Sequence, residues 1–135
     1  MPVERFGSST PWEPVIGYSR VVRAGPHVHV SGCTAVGADG VILGGASVYE
    51  QARHALANVE AALAQAGATI ADVVRTRMYI TDISRWEELG RAHGEVFGDA
   101  RPATAMVEVS RLLDPRMLVE IEAEAYVGSA AAPPG

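Results

Sequence analysis

Three glutamates alternate with apolar residues near the end of the chain. Glu120, Glu122 and Glu124 are separated by Ile121 and Ala123. Because side chains alternate between the two faces of a β-strand, this pattern predicts a strand with acids on one face and apolar side chains against a core. Neighbouring acids would lie roughly 6.5 to 7 Å apart. Like charges at that spacing repel one another unless water or positive charges compensate them. The pattern therefore indicates a candidate site whose acids are either solvated or paired with arginines.

Arginines that could meet these acids occur on another predicted strand. Arg75, Arg77 and Tyr79 alternate with residues that would face the core. Ion pairs with these arginines would be structural, whereas an acid poised beside water would be catalytic. From the residues alone, both interpretations of Glu120 and Glu122 stay open.

Histidines and the single cysteine are the other candidates for chemistry. His27 and His29 would share a strand face, but two ligands do not make a metal site, so the pattern favours surface histidines. His54 and His93 fall on different predicted helices and are interpreted as polar flanks of packed faces. Cys33 has no His or Arg beside it in sequence, which favours a small buried thiol over a nucleophile.

Composition narrows the class of protein. The chain has 135 residues, of which 48% are hydrophobic and 20% charged, as expected of one globular domain. A net charge of −5 argues against a nucleic-acid partner. No apolar run approaches the roughly 20 residues of a membrane span, so no membrane partner is expected. A lone cysteine and the lack of a signal-type segment predict a cytoplasmic protein.

The order of predicted elements indicates an α+β fold. An irregular arm (1–17) precedes a domain (18–127) and a flexible tail (128–135). Strands are predicted at 18–23, 27–34, 72–81, 104–110 and 118–126. Ser47 with Glu50, and Ser84 with Glu87, form capping-box patterns that begin two amphipathic helices. We therefore expect a single mixed sheet with both helices on one face.

The other sheet face would be uncovered. It is predicted to carry Arg75, Arg77, Tyr79, Met106 and Glu108 together with the three acids. This surface combines charged side chains with Tyr79 and Met106, which is unusual for a face open to solvent, and it is too polar for a core. We therefore expect a subunit interface with complementary charges paired across it.

Short motifs along the chain resemble one known family. They are Ser31-Gly32, Asn58-Val59, Ala66-Gly67, Arg101-Pro102-Ala103, Val107-Glu108-Val109, Leu112 and Glu120-Ile121-Glu122-Ala123. In order and spacing they resemble the RidA family, also called the YjgF family of reactive-intermediate deaminases, over about residues 17–127. The resemblance implies a chorismate-mutase-like subunit that assembles as a homotrimer.

The same resemblance implies a function and a set of site residues. Deaminating members bind enamines or imines in a pocket at each subunit boundary, and water releases ammonium and leaves a 2-keto acid without metal or organic cofactor. By position, Tyr18 matches a pocket tyrosine, and Ser31 and Gly32 match positions whose backbone lines the pocket. Glu120 matches the acid that orients the attacking water, a role that suits a carboxylate able to exchange protons.

The chain departs from the family pattern at the substrate carboxylate. Deaminating members carry an arginine after the Pro-Ala of this motif, where its guanidinium binds that carboxylate, and this chain has Thr104. Gly90 also stands where the family has an asparagine. Strand parity is expected to put Arg77 on the same face as Thr104, Met106 and Glu120. Arg77 is therefore a candidate for the missing cation, either for an anionic ligand or for the glutamates.

Three functions follow as hypotheses. The first is a homotrimeric hydrolase, deaminase-like, that acts on an imine, enamine or related small molecule. The second is a binding or regulatory protein that kept the pocket and lost turnover when arginine became threonine. The third and weakest is an endoribonuclease, because an acidic chain with few aromatic residues is poorly suited to RNA.

Overall fold

Six strands form a single sheet, with both long helices packed on one of its faces. The computed structural model describes residues 2–128. The strands are β1 (Val3–Phe6), β2 (Val21–Ala24), β3 (His27–Cys33), β4 (Val73–Ile80), β5 (Ala103–Glu108) and β6 (Val119–Tyr126). Their order is β1-β2-β3-β6-β4-β5; β4 and β5 are parallel and the other neighbours antiparallel. The predicted α+β class with a single mixed sheet is confirmed.

The N-terminal segment differs from the prediction. β1 pairs antiparallel with β2, with Val3 opposite Ala24 and Phe6 opposite Val21. The irregular arm predicted for 1–17 is therefore wrong for residues 3–6, which form an edge strand that Pro, Ser and Gly in the following residues concealed. Glu13–Gly17 forms one turn of π-helix. The predicted tail from 128 lies outside the described residues, apart from Gly128.

Helix α1 (Val48–Gln65) begins and ends where the sequence predicts. The Ser47 hydroxyl accepts a hydrogen bond from the Glu50 backbone N–H at 3.1 Å, which is the predicted N-cap. After the helix, Gly67 has a φ of 79°, in the left-handed region that a glycine enters without steric cost.

Helix α2 (Trp86–Phe97) begins later than its capping pattern predicts. A 3₁₀ turn (Ile83–Arg85) precedes it, and Asp82 rather than Ser84 accepts the capping hydrogen bond, from the Ser84 N–H. Leu89 and Phe97 are buried as expected. An amphipathic helix would also be expected to bury Trp86, but this residue is 53% exposed at the first position of α2.

Two amide side chains, the buried Gln51 and the half-buried Asn58, join α1 to the loops beside the sheet. The Gln51 amide donates to the carbonyls of Gly45 (2.7 Å) and Arg116 (2.8 Å) and accepts from the Leu118 N–H (2.9 Å). Asn58 donates to the carbonyls of Thr34 and Val36, each at 2.9 Å. Because these bonds satisfy backbone groups that leave the sheet, they fix the loops after β3 and before β6.

The side chains of β5 face opposite to the prediction. In the parallel β4–β5 register, Thr104 is opposite Thr76, Met106 opposite Met78, and Glu108 opposite Ile80. Thr76, Met78 and Ile80 are buried beneath the helices, and side chains directly opposite one another share a face. Thr104, Met106 and Glu108 therefore lie on the helix side, and the expectation that they share the open face with Arg77 is wrong.

No helix between residues 2 and 128 combines the length and apolarity that a bilayer span requires.

Candidate functional site

A cavity of about 230 Å³ opens where β3 ends and β6 begins. One wall comes from the segment before β2, a second from the residues after β3, a third from α1, and the last from the 111–118 loop and Glu120. The residues around it are Ser8, Ser9, Thr10, Trp12, Tyr18, Arg20, Gly32, Cys33, Thr34, Val36, Gly37, Ala38, Asn58, Ala61, Ala62, Gln65, Leu113, Met117 and Glu120. Of the predicted site residues, Tyr18, Gly32 and Glu120 meet here.

A β-bulge at Ser31 and Gly32 creates room for the acid. Val30 is opposite Ala123 but Cys33 is opposite Ile121, so β3 carries one extra residue over this stretch. A Cβ at Gly32 would lie 2.7 Å from Cδ of Glu120. Since Cβ atoms essentially never approach a heavy atom that closely, the carboxylate can occupy this place only because residue 32 has no side chain.

The environment of Glu120 raises the pKa of its carboxyl group. Burial is the main cause, and the negative charge of Glu122 adds to it, whereas the positive charge of Arg20 opposes both. A carboxylate with a raised pKa exchanges protons nearer neutrality than an exposed one does. Glu120 is thus equipped to act as a general base and then as a general acid.

Arg20 is the functional candidate that the sequence analysis missed. It is 8% exposed, and its Nη1 donates to the carbonyls of Gly32 (2.7 Å) and Ser31 (3.3 Å). Its Nη2 donates to the Tyr18 hydroxyl at 3.4 Å. A signal was available, because Tyr18 and Arg20 are two residues apart in a segment predicted as a strand and so were expected to share a face.

The segment before β2 closes one side of the cavity. The Thr10 hydroxyl lies 3.2 Å from the Tyr18 hydroxyl and also donates to the Glu13 carboxylate at 2.8 Å. Glu13 in turn accepts from the Ser8 N–H at 2.9 Å. These hydrogen bonds tie the segment to the start of the π-helical turn.

Ser31 supports the bulge and does not line the cavity with its side chain. Its hydroxyl donates to the Ser19 carbonyl at 2.6 Å, and its backbone carbonyl accepts from Arg20. Its carbonyl helps to hold Arg20, so Ser31 contributes through its backbone.

Cys33 lies at the cavity wall as a buried free thiol. Burial raises its pKa to about 11, although Arg20 opposes the shift. Because the thiolate is the nucleophilic form, a thiol with this pKa is inert near neutrality. The predicted burial of the Cys33 thiol is confirmed.

Arg77 lies on the open face of the sheet and is not part of the cavity lining. Its Nη1 is 2.7 Å from Glu124 Oε1 and 3.9 Å from Glu122 Oε1. The Tyr79 hydroxyl donates to Glu122 at 3.0 Å. The structural ion pair that the sequence allowed between Glu122 and Arg77 is therefore present within the chain, and pairing across a subunit boundary stays a prediction.

Thr104 joins a short chain of polar groups beneath the helices. The Thr76 hydroxyl donates to the Thr104 hydroxyl at 2.6 Å and lies 2.9 Å from Nε2 of His93. His93 is 9% exposed, and burial lowers its pKa, so the neutral ring is favoured. Neither Thr104 nor Met106 lines the cavity of its own chain, and Met106 packs against the core.

The histidines of β3 do not gather into a metal site. His29 lies 3.5 Å from Glu124, and the His27 ring contacts Tyr126 edge-on. Among residues 2–128, no group of three His, Cys, Asp or Glu side chains is arranged to hold a metal ion.

A mixed sheet with two helices on one face defines a chorismate-mutase-like α+β subunit. Its cleft, which Glu120 lines, is of small-molecule size. Residues 9–127 match the family model described as Endoribonuclease L-PSP. The chain therefore belongs to the YjgF/RidA family.

Relatives agree on the fold and differ in what they are named. A YjgF/YER057c/UK114 family member from Mycobacterium tuberculosis has a crystal structure, and its sequence is 51% identical to this chain. The two structures align with a TM-score of 0.85 and cover 93% of this chain and 100% of that one. A protein of Streptomyces coelicolor is 39% identical over 94% of each chain. The 3-aminoacrylate deaminase RutC of Acinetobacter baylyi is 27% identical over 84% of this chain and 90% of its own.

Proposed function

We propose that this chain hydrolyses small imines or enamines in the cavity beside Glu120, releasing ammonia and leaving a carbonyl product. The observation that carries the proposal is the half-buried Glu120 carboxylate, which rests on the bulge at Gly32 and has a raised pKa. Family membership and the deaminase name of the Acinetobacter relative support the same chemistry. No metal or organic cofactor is needed for it.

The first step is addition of water to the carbon–nitrogen double bond. Glu120 accepts a proton from a water molecule while the water oxygen bonds to the imine carbon. The substrate enters as the protonated imine, so the π electron pair of the double bond moves to a nitrogen that already carries the proton it needs. The product is a carbinolamine, and the protonated Glu120 now holds the proton needed next.

The second step breaks the carbon–nitrogen bond. Glu120 gives its proton to the amine nitrogen, and its carboxylate then accepts the hydroxyl proton of the carbinolamine as the oxygen forms the carbonyl; the released ammonia takes up that proton and restores the carboxylate. Ammonia leaves with the former bonding pair. The balance is one imine and one water consumed, and one carbonyl compound and one ammonia formed. An enamine enters after its carbon takes a proton to become the imine.

Tyr18, Ser31 and Gly32 have positioning roles in this proposal. The Tyr18 hydroxyl faces the cavity and is held by Thr10 and Arg20. Gly32 makes space for the carboxylate and, with Ser31, supplies carbonyls that hold Arg20. We assign no ligand contact within their own subunit to Thr104, Met106 or Arg77.

We also propose that the protein is a cytoplasmic homotrimer. The open sheet face with its ion pairs, together with the family, supports the assembly. The free thiol of Cys33 suits a reducing compartment.

The test is a coupled assay in which a lyase generates 2-aminoacrylate in place. We expect the protein to accelerate release of ammonia and keto acid above the spontaneous rate. Glu120→Gln should lower that acceleration by about 10²- to 10⁴-fold, the usual contribution of a general acid–base group. Glu124→Gln is the matched control, since Glu124 lies on the same strand but pairs with Arg77.

Absence of any acceleration would contradict the proposal. If a small acid still binds the cavity in that case, the chain is a non-catalytic binding or regulatory protein, which is the second candidate. It is favoured by Thr104, which bonds Thr76 inside its own subunit and brings no cation. Cleavage of RNA by the same preparation would instead support the activity for which the family model is named.

A further inference from the structure

A chain of hydrogen bonds connects a buried histidine to an exposed hydroxyl group at the edge of the sheet. Nε2 of His93 lies 2.9 Å from the Thr76 hydroxyl, which lies 2.6 Å from the Thr104 hydroxyl. His93 is 9% exposed and Thr76 is fully buried, whereas Thr104 is exposed on β5, an edge strand. The chain of groups therefore leads from the interior to the surface, and the proposed hydrolysis beside Glu120 does not use it.

The bond between the two threonines is more than packing requires. When Nε2 of His93 is the acceptor, its bond with Thr76 satisfies both buried side chains. Thr104 is exposed, so water can satisfy its hydroxyl without a protein partner. The 2.6 Å bond nevertheless couples this exposed hydroxyl to the buried ring.

The tautomer of His93 sets the direction of both hydrogen bonds. With the ring proton on Nε2, His93 donates to Thr76 and Thr76 donates to Thr104. With the ring proton on Nδ1, both bonds reverse, so that Thr104 donates to Thr76 and Thr76 donates to Nε2. The oxygen lone pairs of Thr104 are then free on the exposed side. A nucleophilic hydroxyl requires this arrangement, in which hydrogen bonds lead from the hydroxyl to a base.

His93 is in the form that a base needs. Burial lowers its pKa from 6.5 and is the only cause of the shift, so the ring is neutral at neutral pH. The groups that contact the ring are uncharged: the Thr76 hydroxyl from β4 and the ring of Phe97 from its own helix, with centroids 4.7 Å apart. The contact with Phe97 holds the imidazole in place while Nε2 faces Thr76.

We propose that Thr104 is a nucleophile that accepts the acyl group of small activated esters or thioesters, with its proton relayed through Thr76 to His93. These three residues do not line the cavity beside Glu120. The inference therefore goes beyond the proposed function and does not depend on it.

Acyl transfer to Thr104 balances without a further reactant. Oγ1 of Thr104 bonds to the carbonyl carbon while its proton passes to Thr76 and the proton of Thr76 passes to Nε2 of His93. The carbonyl π pair moves to oxygen and returns as the bond to the leaving group breaks. The leaving group departs as an anion with the bonding pair, and the imidazolium then loses its proton to water. One ester and one hydroxyl are consumed, and one O-acyl threonine and one alcohol or thiol are formed.

Reaction of the full chain with p-nitrophenyl acetate tests the inference. We expect a burst of p-nitrophenolate of one equivalent per chain, and a mass increase of one acetyl group on the peptide that contains Thr104. Stopped-flow absorbance and peptide mass spectrometry measure the two. Competing acylation is limited, because the sequence has no lysine and the only cysteine, Cys33, is buried with a pKa of about 11. Thr104→Val should abolish burst and adduct, and Thr104→Ser should keep both.

Matched substitutions test the relay. Thr76→Val and His93→Gln should each slow the burst by about 10²- to 10⁴-fold, the usual contribution of a general base. The controls are Thr81→Val, just beyond the end of β4, and His54→Gln, on α1. Neither control residue belongs to the chain of hydrogen bonds, so both variants should react like the wild type.

The pH dependence of the burst distinguishes a base from a structural histidine. The wild-type rate should fall as the pH drops through the lowered pKa of His93, below 6.5, because the imidazolium cannot accept a proton. His93→Gln should lack this inflection. If that variant or Thr76→Val fails to fold, the wild-type profile and the pair Thr104→Ser and Thr104→Val still decide.

Three results would overturn the inference. The first is a burst no larger than that of Thr104→Val, and the second is an acetyl group on a different residue. The third is a burst whose rate is the same in wild type, Thr76→Val and His93→Gln, or does not change with pH below 6.5.

Discussion

The ionised carboxylate of Glu120 destabilises the folded protein. Burial and the charge of Glu122 raise its pKa above the ordinary value of 4.5, which the unfolded chain would show. A carboxyl group with a raised folded pKa favours the folded state most below pH 4.5, where it is protonated in both states. That favourable contribution is lost as the pH rises through the folded value.

Glu120→Gln should therefore raise the melting temperature at neutral pH. The gain should shrink as the pH falls below the raised pKa, because the wild-type carboxyl is then neutral as well. Melting temperatures of both proteins between pH 4 and pH 8 measure this. Glu124→Gln should lower the melting temperature or leave it unchanged, since it removes the partner of Arg77. A Glu120→Gln effect that does not vary with pH would contradict the assignment.

At the level of elements, two capping patterns that look alike in sequence behave differently. Ser47 accepts the backbone N–H of the residue three positions on, whereas Ser84 donates its hydroxyl to Asp82 at 2.6 Å. The difference arises because a 3₁₀ turn intervenes before α2. Ser47 is a helix cap and Ser84 is not.

Ser47→Ala should destabilise the protein by about 1 kcal/mol, the usual cost of losing an N-cap. Ser84→Ala should cost clearly less, because no backbone N–H loses its acceptor. Urea denaturation of the two variants beside the wild type measures the free energy of unfolding. An equal loss in both would show that the two serines share one role.

The sequence predicted the elements well because their signals are local. Alternating strands, the Ser47 cap and the left-handed Gly67 depend on neighbours within a few residues. The β4–β5 register depends on how two distant segments align, and a shift of one residue reverses every side chain. For that reason Thr104 and Met106 were placed on the wrong face.

The candidate site was predicted in part. Resemblance supplied Tyr18, Gly32 and Glu120, which do meet at the cavity. Arg20 was missed although it lies two residues from Tyr18, because it donates to the carbonyls of the β3 bulge and one extra residue in a strand leaves no periodic signal. Arg77 drew attention through its charge, but its partner is Glu124.

At the level of the whole molecule, the open face limits how subunits could associate. Arg77, Glu122 and Glu124 already satisfy one another within the chain. Charge pairing between copies would have to compete with these contacts. Association should therefore depend on shape and apolar edges more than on salt bridges across the boundary.

A mass measurement in dilute solution should give about 43 kDa, three times the 14.2 kDa of one chain. Because the ion pairs are internal, raising the salt concentration should change this mass little. Sedimentation velocity at low and high salt measures both points. A particle of 14.2 kDa would contradict the trimer, and dissociation at high salt would show that charges bridge the subunits.

Because Gly32 packs closely against Glu120, the effect of a substitution at one of these positions depends on the residue at the other. A methyl group at residue 32 would force the Glu120 side chain to leave its present position, whereas the same change beside a short side chain at residue 120 would meet no such contact. We therefore expect the effects of substitutions at residues 32 and 120 to be coupled, with a side chain at residue 32 tolerated better once the acid is absent.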